Sequence, residues 1–175
     1  MTKHLHPFIV AIKWSEVDYC GGEEHPVSVF RGQYYHTIDG KGRIILPAKL
    51  REVFKEKDDK RLVVTSLENY LLILPYDEWS VIEEKAKQHS ILKKEIRAFQ
   101  RYFMSGAIDC TLDSQWRILI PPALRQRARL ERDIVLAGMV KTIEIWNREA
   151  FEENLKVTSE NSDSFIDTVA DLLGI

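Results

Sequence analysis

The chain has 175 residues, 45% of them hydrophobic and 30% charged, with a net charge of −2. That balance is ordinary for a globular protein and argues against a uniformly basic nucleic-acid binder. The two thiols, Cys20 and Cys110, show no metal-type spacing, which points to a reducing cytoplasm, and the longest apolar runs fall far short of a membrane span.

Charge is unevenly placed. Val29 to Arg51 carries Arg31, Lys41, Arg43, Lys49 and Arg51 against the single acid Asp39, whereas Glu144 to Ile175 carries eight acids against Arg148 and Lys156. Such a split can mark a nucleic-acid face with an acidic far end, or a chance division of surface charge.

Residues 1–28 read differently from the rest. Phe8 to Ile12 is a short apolar run without a small-residue cleavage site, so it does not read as a signal peptide, and His4 and His6 are too sparse for a metal site. Gly21-Gly22-Glu23-Glu24 requires purine-rich codons that suit a ribosome-binding sequence, and Val27 and Val29 can be read from GTG. The expectation is a natural start at Val27 or Val29, with 1–28 an upstream extension.

Phe30 to Thr37 is expected as a strand, with His36 packing rather than reacting. Asp39-Gly40-Lys41-Gly42 then reads as a turn: Asp-Gly favours a tight reversal, and Gly42 tolerates positive φ. Ile44-Ile45-Leu46 is a short strand. Pro47 suits the first position of a helix from Ala48 to Phe54, with Leu50 and Phe54 on one face. Lys55 to Arg61 reads as a charged loop, Leu62 to Thr65 as a strand, and Leu67 to Tyr70 as a reversal. Pro75 to His89 is a helix with Trp79, Ile82 and Ala86 on one stripe and Asp77 and Glu78 in its first turn. A second helix, Ile91 to Met104, carries Leu92, Ile96, Phe99 and Phe103 on a stripe that packs on the sheets or on another subunit.

Ser105-Gly106 breaks that helix, and the pattern begins again. Thr111 to Arg125 matches Thr37 to Arg51 at an offset of 74, with 7 of 15 positions identical, including Asp39/Asp113, Arg43/Arg117, Ile44/Ile118 and Arg51/Arg125. Ile134 to Ala137 matches Leu62 to Thr65, and Ile143 and Ile145 match Leu71 and Ile73, at an offset of 72. An internal repeat means a duplicated structural unit, here β-β-α-β-β-α twice, which favours two small units over one domain. The helix that follows Pro121 in the second copy, and the loop after it, carry Arg125, Arg127, Arg129 and Arg132. The second unit closes with Phe151 to Leu155; Thr158 to Ser162 reads as a flexible joint. Phe165, Val169, Leu172 and Leu173 mark a short acidic amphipathic tail helix, read as a docking element.

Val29-Phe30-Arg31-Gly32, Thr37-Ile38-Asp39-Gly40-Lys41-Gly42-Arg43, Pro47, Ala48 and Arg51, with Ile143-Glu144-Ile145-Trp146 near the end, resemble the MraZ family of bacterial transcriptional regulators over about Val29 to Phe151. The resemblance implies an α+β, β-rich fold of two tandem AbrB-like swapped-hairpin units with short helices, like a double-psi barrel. Residues 29–104 would form the first unit with its linking helices, 105–157 the second, and 158–175 the tail. It further implies a ring oligomer in the cytoplasm, associated with the nucleoid. That ring would bind short direct repeats of double-stranded DNA upstream of the division and cell-wall gene cluster. Arg31, Lys41, Arg43 and Arg117 are the candidate DNA-contact residues, with most weight on Lys41 and Arg43, while Asp39, Gly42 and Asp113 structure the turns.

The second turn departs from the family pattern. Gln115 stands where the first copy has Lys41, and Trp116 where it has Gly42. Since Trp at positive φ is strained, either this turn differs or its φ is negative, and its role is structural or subunit-facing. A rival reading is an AbrB-like, antitoxin-type module that binds a protein partner through the acidic tail. Catalysis by Asp39 and Asp113 is set aside, because no convergent histidine, cysteine nucleophile or metal cluster accompanies them. No cofactor, metal, membrane or small-molecule substrate is expected.

Overall fold

A computed structural model describes residues 29–89 and 93–160; the upstream extension and the tail stripe from Phe165 to Leu173 lie outside the described residues. The elements are β1 (Gln33–Thr37), β2 (Arg43–Ile45), α1 (Ala48–Glu56), β3 (Arg61–Leu67), β4 (Tyr70–Pro75), α2 (Tyr76–Lys87), α3 (Lys94–Phe99), β5 (Ile108–Thr111), β6 (Arg117–Leu119), α4 (Pro122–Arg127), β7 (Asp133–Met139), β8 (Thr142–Asn147) and α5 (Arg148–Glu160). The doubled β-β-α-β-β-α order is present, and the fold is α+β.

The two copies interleave. The large sheet is antiparallel with order β1-β7-β8-β4-β3-β5, so the first strand of each repeat pairs with the third strand of the other. Thr37 faces Asp133 in one such pair and Thr111 faces Arg61 in its counterpart. A second, two-stranded ribbon joins β2 to β6, with Ile44 opposite Ile118. At the sheet centre Leu71 faces Ile145 and Ile73 faces Ile143, leaving Leu72 opposite Glu144. Both central pairings are symmetric under exchange of the repeats, so a pseudo-two-fold axis passes through the ribbon and through the middle of the sheet.

Alternation along the strands builds one core from both copies. Ile44, Leu50, Phe54, Leu62, Ile73, Ile118, Ile120, Leu124, Ile134 and Ile145 belong to a single buried cluster. The duplication therefore yields one shared interior rather than two small ones. Neither copy could close alone, since its first strand has no partner within its own repeat.

The outer face of the sheet is covered in two smaller patches. Over the first half, Val63, Leu74, Trp79 and Phe103 cluster, with Phe99 stacked on Phe103 at 5.2 Å. Over the second, Val135, Ala137, Trp146 and Phe151 do the same.

Local differences from the sequence reading have local causes. Pro47 is the residue preceding α1, at φ −55 and ψ 145, rather than its first helical residue. Pro121 precedes α4 in the same way, and Pro122 takes the first helical position. Lys55 and Glu56 extend α1 beyond Phe54, shortening the charged loop. The linking helix is not one α-helix: Lys94–Phe99 is followed by a π-helical turn, Gln100–Met104, closed by Ser105 N–H donating to the Gln100 carbonyl at 2.8 Å. The wider turn leaves the Phe103 carbonyl to accept from the buried Thr65 hydroxyl at 2.6 Å. Thr158 to Glu160 belong to α5 rather than to a joint, with the Thr158 and Ser159 hydroxyls donating to the carbonyls of Asn154 and Lys156, while Asn161 and Ser162 lie outside the described residues.

Because Ile118 is fully buried at the axis, Ile118→Ala should cost about 2–5 kcal/mol. In urea, parent and variant should each unfold in one transition; two transitions, only one of them shifted, would mean the repeats fold independently.

Candidate nucleic-acid interface

The chemistry concentrates at the two turns that feed the ribbon. In the first, Asp39 Oδ1 accepts the backbone N–H of Lys41 at 2.8 Å and of Arg43 at 2.9 Å, and Oδ2 accepts Arg43 Nε at 2.7 Å. Arg43 Nη2 also lies 2.7 Å from Oδ2. Backbone bonds close the loop, Gly42 N–H to the Asp39 carbonyl at 2.8 Å and Asp39 N–H to the Arg43 carbonyl at 3.0 Å.

The second turn repeats the three hydrogen bonds of the aspartate side chain. Asp113 Oδ1 accepts from the N–H groups of Gln115 and Arg117 at 2.8 and 2.9 Å, and Oδ2 accepts Arg117 Nε at 2.7 Å. One aspartate thus ties down a turn and holds an arginine planar beside it. The Arg43 N–H bond is the largest influence on Asp39, whose pKa is lowered to about 2; Asp113 is lowered chiefly by the N–H of Arg117.

Gly42 sits at φ +81 and Trp116 at φ +61. The second turn therefore does not differ, nor is its φ negative: Trp116 occupies the left-handed conformation that glycine takes in the first. That costs a non-glycine residue about 1–2 kcal/mol. The ring compensates by packing on the shared core and lying under two ammonium groups, Lys60 at 4.7 Å and Lys55 at 5.6 Å from its centroid.

The cross-strand pairing sets the two turns at opposite ends of one ribbon. Arg43 faces Leu119 and Ile45 faces Arg117, which places the α-carbons of Arg43 and Arg117 within roughly 10 Å of each other. Each turn also rests on the other repeat: Ile120 N–H donates to the Gly42 carbonyl and Leu46 N–H to the Trp116 carbonyl, both at 2.9 Å.

Two further arginines belong here. Arg51 Nε donates to the Leu46 carbonyl at 2.6 Å and Arg125 Nε to the Ile120 carbonyl at 3.2 Å, closing the ends of the ribbon strands. A Cβ on Gly42 would lie 3.0 Å from Arg125 Cζ, so the second repeat's guanidinium lies against the first repeat's turn. The identity of Arg51 and Arg125 in the repeat alignment was the available signal; periodicity alone gave no reason to put either beside a turn.

Among the sequence candidates, Lys41, Arg43 and Arg117 are brought together on this ribbon. Lys41 is exposed, and its ammonium has no partner among the described residues. Arg31 is not brought there. It lies beyond the other end of β1, beside Gly138, where a Cβ would come within 2.4 Å of its backbone nitrogen. About 20 Å of extended chain separates it from the first turn. Among the described residues no group of three His, Cys, Asp or Glu could hold a metal ion. No helix there is long and apolar enough to cross a membrane.

Two successive segments, 29–102 and 103–173, match the family described as "MraZ protein, putative antitoxin-like". The chain belongs to the MraZ family. It is 47% identical over 127 residues to the transcriptional regulator MraZ of Caldanaerobacter subterraneus subsp. tengcongensis, covering 73% of this chain and 87% of that protein. The corresponding regulator of Syntrophobacter fumaroxidans is 42% identical over 141 residues, 81% of this chain and 94% of its own length. That of Desulfitobacterium hafniense is 47% identical over 121 residues, covering 69% and 82%. The role these MraZ relatives are named for is regulatory rather than enzymatic. The family match falls as two successive segments, whereas the strands of those segments interlock in the fold.

The geometry generates two tests. Trp116→Gly removes the backbone strain but also about 100 Å² of buried ring and two cation–π contacts, so the variant should be less stable by about 1–2 kcal/mol in chemical denaturation. An Asp39 pKa below its ordinary value contributes stability above that value, lost as pH falls toward about 2. The Asp39 carboxyl carbon, followed by NMR, should therefore titrate near 2 in the parent and move up only part of the way in Arg43→Ala, because the backbone N–H bonds from positions 41 and 43 remain.

Proposed function

We propose that the chain is a transcriptional regulator that binds double-stranded DNA through the two aspartate-clamped turns of the β2–β6 ribbon, as a ring-forming oligomer. The observation that carries this reading is the pair of pre-positioned arginines, Arg43 and Arg117, presented on the outward face of one ribbon, with Lys41 beside them unpaired among the described residues. A guanidinium whose Nε is held by a carboxylate still offers its other N–H groups. It loses little conformational freedom when it meets a phosphate or the O6 and N7 atoms of guanine.

One such ribbon makes few contacts. A ring would repeat it at regular intervals, so that short direct repeats engage several ribbons together, and linked weak sites gain roughly 10²–10⁴ in avidity. The sites in this reading are the repeats upstream of the division and cell-wall gene cluster, and the protein is nucleoid-associated. The turns are unequal. Lys41 and Gly42 give the first a second cation and close backbone approach, whereas Gln115 and Trp116 give the second neither, so Arg43 dominates. Arg31, at the far end of β1, has no part in this contact.

The test is a gel shift on the DNA immediately upstream of this chain's own gene. Arg43→Ala should reduce specific binding at least 100-fold with the oligomer intact, and Arg117→Ala should have a milder effect. Parent binding should also fall steeply between about 50 and 200 mM salt, through counterion release. Equal binding by parent and Arg43→Ala would refute the assignment of the reading turn, and salt-insensitive association with a protein would favour the antitoxin-type module instead.

A further inference from the structure

The outward face of the ribbon holds more than cations. Because side chains alternate, Ile44 and Ile118 point inward and are fully buried, whereas Ile45 and Leu119 point outward and are 42% and 57% exposed. The register crosses them with the arginines: Leu119 lies opposite Arg43, and Ile45 opposite Arg117. Two aliphatic side chains and two clamped guanidiniums therefore form a small diagonal checkerboard.

Nothing in the fold requires Ile45 or Leu119 to be apolar. Neither belongs to a buried cluster, and Arg43 and Arg117, the partners across the ribbon, are charged. A β-branched residue suits a strand, but that preference does not call for leucine at 119. The face is also small, two residues on each of two three-residue strands. A two-stranded ribbon of this kind is narrow enough for the major groove of B-DNA, about 12 Å wide. The positive charge around it matches such a partner. In the major groove the one apolar group on a base edge is the 5-methyl of thymine.

We infer that Ile45 and Leu119 are specificity residues that contact thymine methyl groups in the major groove while Arg43 and Arg117 engage guanines or phosphates beside them. This rests on the DNA-binding reading above and adds a base preference to it. The ribbon selects sites in which thymine lies next to the position read by an arginine. It also explains how the weaker second turn takes part, since Leu119 sits beside Arg43 and extends the first turn's contact from the other repeat.

The experiment uses the full chain and two duplexes of the upstream DNA, one natural and one synthesised with deoxyuridine for thymidine, which removes the methyls and keeps every base-pair hydrogen bond. Each methyl contact should be worth about fourfold in affinity. The parent should therefore bind the uracil duplex several-fold more weakly, whereas Ile45→Ser/Leu119→Ser should bind both duplexes equally, at the parent's uracil-duplex level. Mass photometry and circular dichroism should show the parent's oligomer and fold. If the parent ignores the methyls while Arg43→Ala still abolishes binding, this inference falls and the DNA-binding function stands. If the double variant loses its oligomeric mass, Ile45 and Leu119 are subunit contacts and the inference is overturned. If the parent binds neither duplex, the functional reading fails first and takes the inference with it.

Discussion

A strand of three residues has almost no stability of its own, yet β2 and β6 are each that short and both aspartate-clamped turns are attached to them. They persist because Ile44 is paired across the ribbon with Ile118 and both side chains are sealed in the interior. That one cross-repeat pairing obliges the halves to interleave, sends β1 to β7 and β5 to β3, and leaves a single core. It also decides where the turns go. Two loops separated by 74 positions in the chain emerge at opposite ends of the same few residues of ribbon.

The aspartate clamp works within this frame. Asp39 and Asp113 each satisfy two backbone N–H groups and one guanidinium, so the turn is rigid before any ligand arrives and the arginine is already oriented. Rigidity here has a cost that the two copies meet differently. Gly42 takes positive φ without penalty, while Trp116 takes nearly the same angle and relies on core packing and two lysines to hold it. The hydrogen bonds match across the axis although the residues do not. The molecule is thus symmetric in backbone and asymmetric in the chemistry it displays, which gives the ribbon a direction.

How much of this could be read from the chain alone depended on whether the signal was local. The repeat, the turns, the short helices that follow the prolines and the inward-facing aliphatics are written in neighbouring residues, and the element order follows from them. The tie between Asp39 and Arg43 needs only a spacing of four. The linking helix misled because the spacing of Leu92, Ile96, Phe99 and Phe103 is helical, and nothing nearby reports the π-helical turn at Gln100–Met104 or the bond its Phe103 carbonyl accepts from Thr65, far off in sequence. Trp116 misled for a related reason. A bulky residue argues against positive φ locally, and only its surroundings in the folded chain offset the strain.

By itself, then, the sequence determined a duplicated α+β unit, the polarity of its turns and the identity of the charged side chains, because these depend on backbone preferences and short-range hydrogen bonds. Only the tertiary structure decided that the copies share one interior, that Arg125 of one repeat lies against Gly42 of the other, that Arg31 stands apart, and that Ile45 and Leu119 face outward between the arginines. Cross-strand register carries that information, and register between strands more than 70 residues apart is fixed by the sealing of Ile44 against Ile118 rather than by any local preference.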